Sequence, residues 1–270
     1  MVEQLRIEYP QSVSKACRIL KMSRSTLHYK SIKDDNFFIT ALGSLAEKHP
    51  REGFWKSYGR LRNKGVVVNH KKLYRIYKSI GLAMRRKYKK RLPKREKKPL
   101  VIPSKFTQSW SIDFTSDVLE NGRKFRSFNV IDDYNREVLF IEVDYSLKSS
   151  RVVWVLNHLI GRYGKPQSIR MDNGPELIAG LMIHWSKANS ITFQYIEPGK
   201  PMQNGYIERF NRTYRENVLD SYIFESLEDV REITDEFVKD YNEERPHESL
   251  AGLSPVKYRE MEKQKLAVSI

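Results

Sequence analysis

Three carboxylates stand out in this 270-residue sequence by their order and surroundings. Asp113 lies in QSWSIDFTSD, Asp172 in IRMDNGPEL and Glu208 in GKPMQNGYIERFNRTYREN, and 35 residues separate the last two acids. These segments contain no Cys or His, so carboxylate oxygens would be the metal ligands, and Mg²⁺ prefers oxygen. The pattern predicts a hard-metal site held by carboxylates.

Phosphodiester cleavage needs this kind of site because it brings negative charge next to negative charge. Two metal ions about 3.5–4 Å apart activate the attacking oxygen and neutralise the leaving one. Two aspartates and one glutamate can hold such a pair while water and substrate oxygens complete the coordination. We therefore expect all three acids to be catalytic. Arg212 and Arg215 follow Glu208 at i+4 and i+7, where they could neutralise phosphate oxygens.

Each acid also has an ordinary structural interpretation. Asp172 in DNG can be only a turn residue, Asp113 an acid at a strand edge, and Glu208 a solvated helix residue. Their joint order and spacing favour one shared site. His247 is interpreted as a packing or capping residue. Five other acids are interpreted as turn or surface residues: Asp117, Asp132, Asp133, Asp144 and Glu176.

The segment from residue 104 onward has the periodicity of an α/β domain. Three β-rich runs, TQSWSIDFTSDVL, KFRSFNVIDDY and EVLFIEVDY, precede alternating helices and strands, which predicts a mixed sheet. The predicted later elements are helices 149–163, 175–189 and 205–219 and strands 168–171 and 192–196. Asp113 would then lie mid-strand, Asp172 at a strand end and Glu208 early in a helix. We predict a catalytic core over 104–225 and a helical extension over 226–270.

Charge is distributed unevenly along the chain. Residues 1–100 contain 27 Lys/Arg against 7 Asp/Glu, whereas residues 101–270 contain 22 against 26. A basic N-terminal part followed by a mildly acidic C-terminal part favours a polyanion-binding arm attached to a carboxylate-bearing enzyme domain. The alternative is that the positive charge only aids solubility.

Residues 1–84 are predicted to form helical DNA-binding modules, with helix-turn-helix-like pairs at 11–30 and 57–81. In the second pair Asn69 is a suitable N-cap, and Gly81 stands where a C′ glycine belongs. The alternatives are a generic helical hairpin and a solvated charged face. The candidate DNA-binding residues are Arg24, Lys71, Lys72, Arg75 and, in the catalytic region, Arg209, Arg212 and Arg215.

Residues 85–98, RRKYKKRLPKREKK, contain ten Lys/Arg and one Glu. Such a run repels itself, and Pro93 discourages a helix, so 85–103 is predicted to be a basic linker that clamps the DNA backbone. The alternatives are a solvated hinge and a nuclear-type address. The predicted phosphate contacts are Arg85, Arg86, Lys87, Lys89, Lys90 and Arg91.

The cellular compartment is indicated by the scarcity of cysteine and by the lack of long apolar segments. A single cysteine, Cys17, excludes a disulfide framework and fits a reducing cytosol. The N-terminus has no apolar h-region, and no apolar run approaches about 18 residues. We expect a soluble, intracellular protein that is not associated with a membrane.

Four segments together resemble the transposases of the insertion-sequence-3 family, in particular their second reading frame, OrfB: WSIDFTSD, MDNGPEL, GKPMQNGYIERFNRTYREN and YNEERPHESLAGLSPVKY. The upstream SVSKACRILKMSRSTLHYK and NHKKLYRIYKSIGL are similar to that family's upstream modules, so the resemblance covers nearly the whole chain. Retroviral integrases are more distantly similar through the same Asp, Asp, 35-residue, Glu pattern. Leu177 replaces the family's usual Phe, which is an apolar exchange.

The resemblance implies an α/β fold with a ribonuclease-H-like mixed-sheet catalytic core, preceded by small all-α, helix-turn-helix-like modules. It implies two Mg²⁺ or Mn²⁺ ions held by Asp113, Asp172 and Glu208. The implied reaction is hydrolysis at an insertion-sequence end and attack of the freed 3′-hydroxyl on another phosphodiester. Implied partners are double-stranded DNA, OrfA as a fusion or in trans, and further copies of this chain on DNA.

Three functions remain open on the sequence. The first is a transposase that joins strands through an Asp-Asp-Glu (DDE) site. The second is a nuclease that only hydrolyses, which leaves the basic arm unexplained. The third is a non-catalytic DNA-binding regulator of a fusion transposase, since the absence of a sustained heptad makes the chain look like the OrfB part alone.

Overall fold

The structure, a computed structural model, describes residues 7, 13–28, 34–83, 103–197 and 204–268. The chain divides into two units, residues 1–41 and 42–270. The helices are α1 Val13–Ile19, α2 Arg24–His28, α3 Asn36–Lys48, α4 Phe54–Asn63, α5 His70–Ser79, α6 Ser149–Tyr163, α7 Gly180–Asn189, α8 Gly205–Tyr214, α9 Leu227–Glu243 and α10 Pro255–Val268. The strands are β1 Ser109–Val118, β2 Lys124–Asp132, β3 Val138–Asp144, β4 Ser168–Met171 and β5 Thr192–Tyr195.

The front of the chain contains the helices α1 and α2 and, further on, α4 and α5. Ser23 immediately precedes α2, and its Oγ accepts a hydrogen bond from the Thr26 backbone N–H at 3.1 Å. Asn69 is the N-cap of α5, and its side chain accepts a hydrogen bond from the Lys71 backbone N–H at 2.9 Å. Gly81 follows α5 with φ 78°, a left-handed conformation that favours glycine at C′. Side-chain capping and a C′ glycine therefore set these helix ends, as the sequence predicts.

The five strands form one mixed sheet in the order β3-β2-β1-β4-β5. The first three strands pair antiparallel, as expected of a meander, and β4 pairs parallel with both β1 and β5. Parallel neighbours need crossover connections, and α6 and α7 supply them. The predicted ribonuclease-H-like mixed sheet is confirmed, with β1 at its centre.

Alternation along β1 separates the two faces of the sheet. Trp110 and Ile112, both 0% exposed, enter a core shared with α6 and α7. On the opposite face, Phe210 of α8 and Val230 of α9 belong to a second buried cluster. Because side chains alternate between the faces of a strand, Asp113 lies on the α8 side, opposite to Ile112. The sheet is covered by helices on both faces, and Asp113 lies under α8.

The helix predicted from residue 175 begins later, at Gly180. Leu177 is 0% exposed, and its N–H bonds the Gly174 carbonyl at 2.9 Å in a turn. Glu176 pairs with Arg126, and its carbonyl accepts from the Ser149 hydroxyl at 2.8 Å. These contacts hold the segment as a buried turn, so tertiary packing overrides the helix-start signal of Pro175.

A buried ion-pair network joins α4 to α9 within the larger unit. The Arg60 guanidinium, 2% exposed, contacts both Glu52 oxygens at 2.8 and 2.9 Å. Its other edge contacts both Asp240 oxygens at 2.8 and 2.6 Å. Arg245 also bonds Glu52. Burial alone would raise the pKa of Glu52, but the hydrogen bonds from Arg60 and the charge of Arg245 outweigh it and lower the pKa.

Replacing Arg60 by Met is expected to lower the free energy of unfolding by about 3–5 kcal/mol, because two carboxylates lose their buried partner. Thermal and urea denaturation of the full chain measure this. Arg62→Met is the matched control, since Arg62 is exposed on the same helix. Equal stability of the two variants would show that the network does not hold α4 on α9.

Two acids expected at a turn or on the surface are completely buried. Asp132 and Asp133 are both 0% exposed, at the turn that follows β2. Asp133 accepts from Ser109 and Ser111 and lies 3.2 Å from the Arg170 guanidinium. Burial raises the pKa of Asp132 to about 7. The surface interpretation is wrong for both acids, because they are buried and tie the end of β2 to its neighbours. Asp133 lies in the turn, whereas Asp132 is the last residue of β2.

No helix in the described ranges is long and apolar enough to cross a membrane.

Candidate active site

Asp113 lies in the middle of β1, paired across the ladder with Asn129 of β2. One carboxylate oxygen accepts the Phe114 backbone N–H at 2.8 Å. The other accepts the Asn211 side-chain amide of α8 at 2.8 Å. Asp113 is half-buried between the sheet and α8, and both of its oxygens have a fixed direction.

Asp172 follows the last residue of β4, the strand that pairs parallel with β1. Its Oδ1 accepts the Gly174 backbone N–H at 3.0 Å, so the turn also orients the carboxylate. A Cβ placed on Gly174 would lie 3.0 Å from that oxygen, tighter than ordinary contact. Glycine at 174 therefore lets the backbone approach Asp172 closely.

Glu208 lies in the first turn of α8 and is exposed. A carboxylate is favourable at this end of a helix because of the helix dipole. Partial burial raises the pKa of Glu208, and the charge of Arg212, one turn later, opposes the shift. Arg212 is therefore near Glu208, as the i+4 spacing predicts.

The three carboxylates are brought together from three separate elements. Burial raises the pKa of Asp113 to about 6, and the charges of Asp172 and Glu208 both add to the shift. The hydrogen bonds from Phe114 and Asn211 oppose it. Burial is the largest cause of this shift, and the negative charges of Asp172 and Glu208 add to it because like charges disfavour ionisation.

The donors at this site suit a hard divalent cation. In the part of the chain that the structure describes, no three Asp, Glu, His or Cys side chains form a ready-made metal group. The donor chemistry nevertheless fits Mg²⁺ or Mn²⁺, because all three groups are carboxylates with oxygen ligands. Burial is the main cause of the raised pKa of Asp113, and a bound cation would offset the smaller contribution from the charges of Asp172 and Glu208.

A pair of asparagines behind Asp113 was not singled out from the sequence. The Asn129 amide donates to the Asn211 oxygen at 2.8 Å, and Asn211 in turn donates to Asp113. This relay fixes which end of the Asn211 amide faces the carboxylate. Asn211 is three residues after Glu208, so helix spacing was the available signal for it.

Replacing Asn211 by Ala is expected to lower the turnover rate or the metal affinity by about 10–100-fold, as loss of a group that orients a metal ligand does. Cleavage measured against Mn²⁺ concentration separates the two effects. Asn217→Ala is the matched control, because the Asn217 amide donates to a helix carbonyl, that of Thr213, at 2.8 Å. Equal activity of the two variants would remove the positioning role.

The predicted DNA-binding cations fall in different places. Arg209 and Arg212 are exposed on α8, whereas Arg215 bonds the Ser116 carbonyl at 2.9 Å and lies 3.7 Å from Asp220. Arg24 is exposed on α2, and Lys71, Lys72 and Arg75 lie on α5. The six cations predicted as linker contacts lie outside the described residues: Arg85, Arg86, Lys87, Lys89, Lys90 and Arg91.

Fold and site together define an integrase-type catalytic core. Family profiles described as integrase core domain match residues 103–201 and 189–255. A 31.7 kDa protein of insertion element IS407 from Burkholderia multivorans is 36% identical over 249 residues, which are 92% of this chain and 90% of that protein. The chain therefore belongs to the insertion-sequence transposases of the DDE type.

More distant relatives share the same region. The transposase InsD of insertion element IS2 from Escherichia coli is 23% identical, over 91% of this chain and 90% of that protein. The catalytic core domain of HTLV-2 integrase, solved in complex with magnesium, aligns with 57% of this chain and 97% of that chain. Its TM-score is 0.45 at 18% identity.

Proposed function

We propose that this chain cleaves DNA at the ends of an insertion sequence and joins the freed 3′-hydroxyl to target DNA. The observation that supports the proposal is geometric: Asp113 lies on β1, Asp172 follows the end of its parallel neighbour β4, and Asn211 of α8, three residues after Glu208, donates to Asp113 at 2.8 Å. Three such oxygen donors on a rigid sheet and helix match the needs of phosphodiester transfer.

Each carboxylate has a role in this proposal. Asp113, Asp172 and Glu208 would hold two Mg²⁺ or Mn²⁺ ions. Bound metal supplies an activated oxygen nucleophile and neutralises the oxygen that leaves. Asn211 orients Asp113, the Gly174 N–H orients Asp172, and Arg212 lies near Glu208, where a phosphate oxygen would carry negative charge.

Partners follow from the same chemistry. The substrate is double-stranded DNA, both as element ends and as target, and the cations of residues 1–103 contact its backbone. We further propose that two or more copies of the chain act on DNA, and that OrfA acts with it as a fusion or in trans. The helices before residue 84 serve as DNA-binding modules, the basic run as a linker, and the protein acts at the bacterial nucleoid.

A strand-transfer assay tests this function. The chain is incubated with a pre-cleaved element end that carries a free 3′-hydroxyl, a target plasmid and Mg²⁺ or Mn²⁺. Joined product is the expected result. Cleavage without joining would favour a hydrolysis-only nuclease. DNA binding with neither reaction, both for this chain and for an OrfA fusion, would favour a regulator.

A further inference from the structure

A small cavity beside α8 is surrounded by cations that the carboxylate site does not use. Its volume is about 160 Å³, and its lining comes from α4, the turn after β2, α8 and the segment after α9. Four cations line it: Lys56, Arg136, Arg209 and Arg245. Glu248 is the acid among its described lining residues. Arg209 directly follows Glu208, so the cavity adjoins the helix that carries the third carboxylate.

Positive charge in this cavity exceeds what the surrounding protein neutralises. Burial, together with the charges of Arg245 and Arg209, lowers the pKa of Lys56 to about 8, although Glu52 opposes the shift. The Lys56 ammonium donates to the Pro246 carbonyl, which holds it at the cavity. The Arg245 guanidinium shares Glu52 with Arg60. Glu52 and Asp240 together balance Arg60 and Arg245, and Lys56, Arg136 and Arg209 against Glu248 leave the cavity with a net positive charge.

Two buried nitrogen atoms of the lining lack a hydrogen-bond partner among the described residues. They are Nη1 of Arg136 and Nε2 of His247. The Arg136 guanidinium stacks on the Tyr206 ring at 3.4 Å, and His247 packs edge-on against Tyr241 at 4.7 Å. A buried polar atom without a partner is costly. Both side chains are held by aromatic rings. The unpaired Arg136 nitrogen is a donor that a ligand acceptor oxygen would satisfy, whereas Nε2 of the neutral His247 is an acceptor.

The size and charge of the cavity suit a phosphate group. Its volume is roughly five times the share of one water in the liquid, enough for a group with four oxygens. Arginine forks match phosphate oxygens in pairs, and a lysine adds a point charge. An anion would also remove the repulsion among the four cations.

A larger cavity next to the first one favours a nucleic acid, rather than free phosphate, as the ligand. Its volume is about 570 Å³, it shares Lys56 and Glu248 with the smaller cavity, and Trp55 and Tyr58 line it. Trp55 is 63% exposed, and its ring meets Tyr58 edge-on at 6.0 Å. Exposed aromatic rings beside a phosphate site suit the sugar and base of a nucleotide. Free phosphate has no sugar or base that could pack against these rings.

We propose that the 160 Å³ cavity is a phosphate-binding subsite, in which Lys56, Arg136, Arg209 and Arg245 hold one backbone phosphate of a DNA strand. The neighbouring nucleoside lies against Trp55. This proposal rests on the proposed function only in taking DNA as the ligand. It assigns to α4 and the Arg245–Ser249 segment a role in holding the strand.

The test measures DNA binding rather than catalysis, so its result stands whether or not strands are joined. Fluorescence anisotropy follows a labelled element-end duplex across salt concentrations for the wild-type chain and for Lys56→Gln combined with Arg209→Gln. The double variant should lower the slope of log affinity against log salt by about 0.9, the value of one phosphate contact. Lys187→Gln combined with Lys239→Gln, two exposed cations on α7 and α9, is the matched control with an unchanged slope.

A second measurement replaces the phosphates of the duplex, one position at a time, by a neutral analogue. This scan uses the wild-type chain and therefore does not depend on whether a variant folds. A methylphosphonate at one position of the duplex should weaken wild-type binding about tenfold, as loss of a charge-assisted hydrogen bond does. The same substitution should leave the double variant unaffected. Glu248→Gln, which removes an acid from the lining, should tighten binding of the unmodified duplex.

Two results would overturn the proposal. An unchanged salt slope with no sensitive position in the scan would show that the cations only stabilise the packing of α4. In the second result, inorganic phosphate at constant ionic strength stabilises the wild-type chain but not the double variant, and no position in the scan is sensitive. It would assign the cavity to free phosphate.

Discussion

The Asp172→Asn chain is expected to bind DNA with wild-type affinity and to lose cleavage by on the order of 10⁴-fold, as loss of a central catalytic group does. Asn keeps the shape of Asp172 and one carbonyl oxygen that can accept the Gly174 N–H. It removes one negative charge and one strong metal ligand. Binding should persist because the proposed DNA contacts are cationic and lie elsewhere on the chain.

The measurement pairs single-turnover cleavage with anisotropy on the same duplex. Asp117→Asn is the matched control, because Asp117 lies on β1 near the Asp113 position and faces Arg215 at 4.0 Å. We expect the control to cleave within about twofold of wild type, the range of an ordinary surface substitution. Retained cleavage by Asp172→Asn would remove that residue from the site.

Replacing the ten Lys/Arg of residues 85–98 by Gln is expected to weaken DNA binding equally for every DNA sequence. Each phosphate contact contributes about 0.9 to the slope of log affinity against log salt, so six lost contacts would lower it by about 5. Six contacts correspond to a loss of about a thousandfold in wild-type affinity between about 50 and 200 mM salt, and the Gln chain should lack that part of the salt dependence. Titrations of two unrelated duplexes at four salt concentrations measure both effects.

A chain with the same 14 residues in shuffled order is the control for this substitution. Phosphate contacts from a basic linker carry no sequence information, so the shuffled run should bind as the natural one does. An unchanged slope in the Gln chain would make the run a spacer between the helices and the core. Weak binding by the shuffled chain would instead indicate a specific fold or a specific contact within it.

Much of the catalytic core is predictable from local pattern. Alternation along β1 places Asp113 opposite to Trp110 and Ile112, and the DNG turn places Asp172 at the end of β4. Helix spacing brings Arg212 near Glu208. These features depend on residues that are neighbours in sequence or in one element, where periodicity of 2 or 3.6 determines direction. The meander followed by alternating helices and strands likewise predicts the mixed sheet.

The features that sequence reasoning missed depend on partners far apart in the chain. Arg60 meets Asp240, 180 residues later, and no local pattern marks either as buried. Asn129 and Asn211 are 82 residues apart and meet because α8 crosses the sheet over β2. In the sequence Asp133 resembles an ordinary turn acid, and only the fold shows that Arg170 of β4 lies beside it. Such buried polar pairs become visible only when the sheet order and helix packing are known.

Mn²⁺ binding to the DNA-bound chain tests most directly the claim that three carboxylates form one site. Loss of the free-ion electron paramagnetic resonance signal measures the affinity for wild type, Asp113→Asn, Asp172→Asn, Glu208→Gln and the Asp117→Asn control. We predict that each of the three single substitutions weakens Mn²⁺ binding at least about tenfold and that the control binds as wild type does. Wild-type affinity in any one of the three would contradict a shared site.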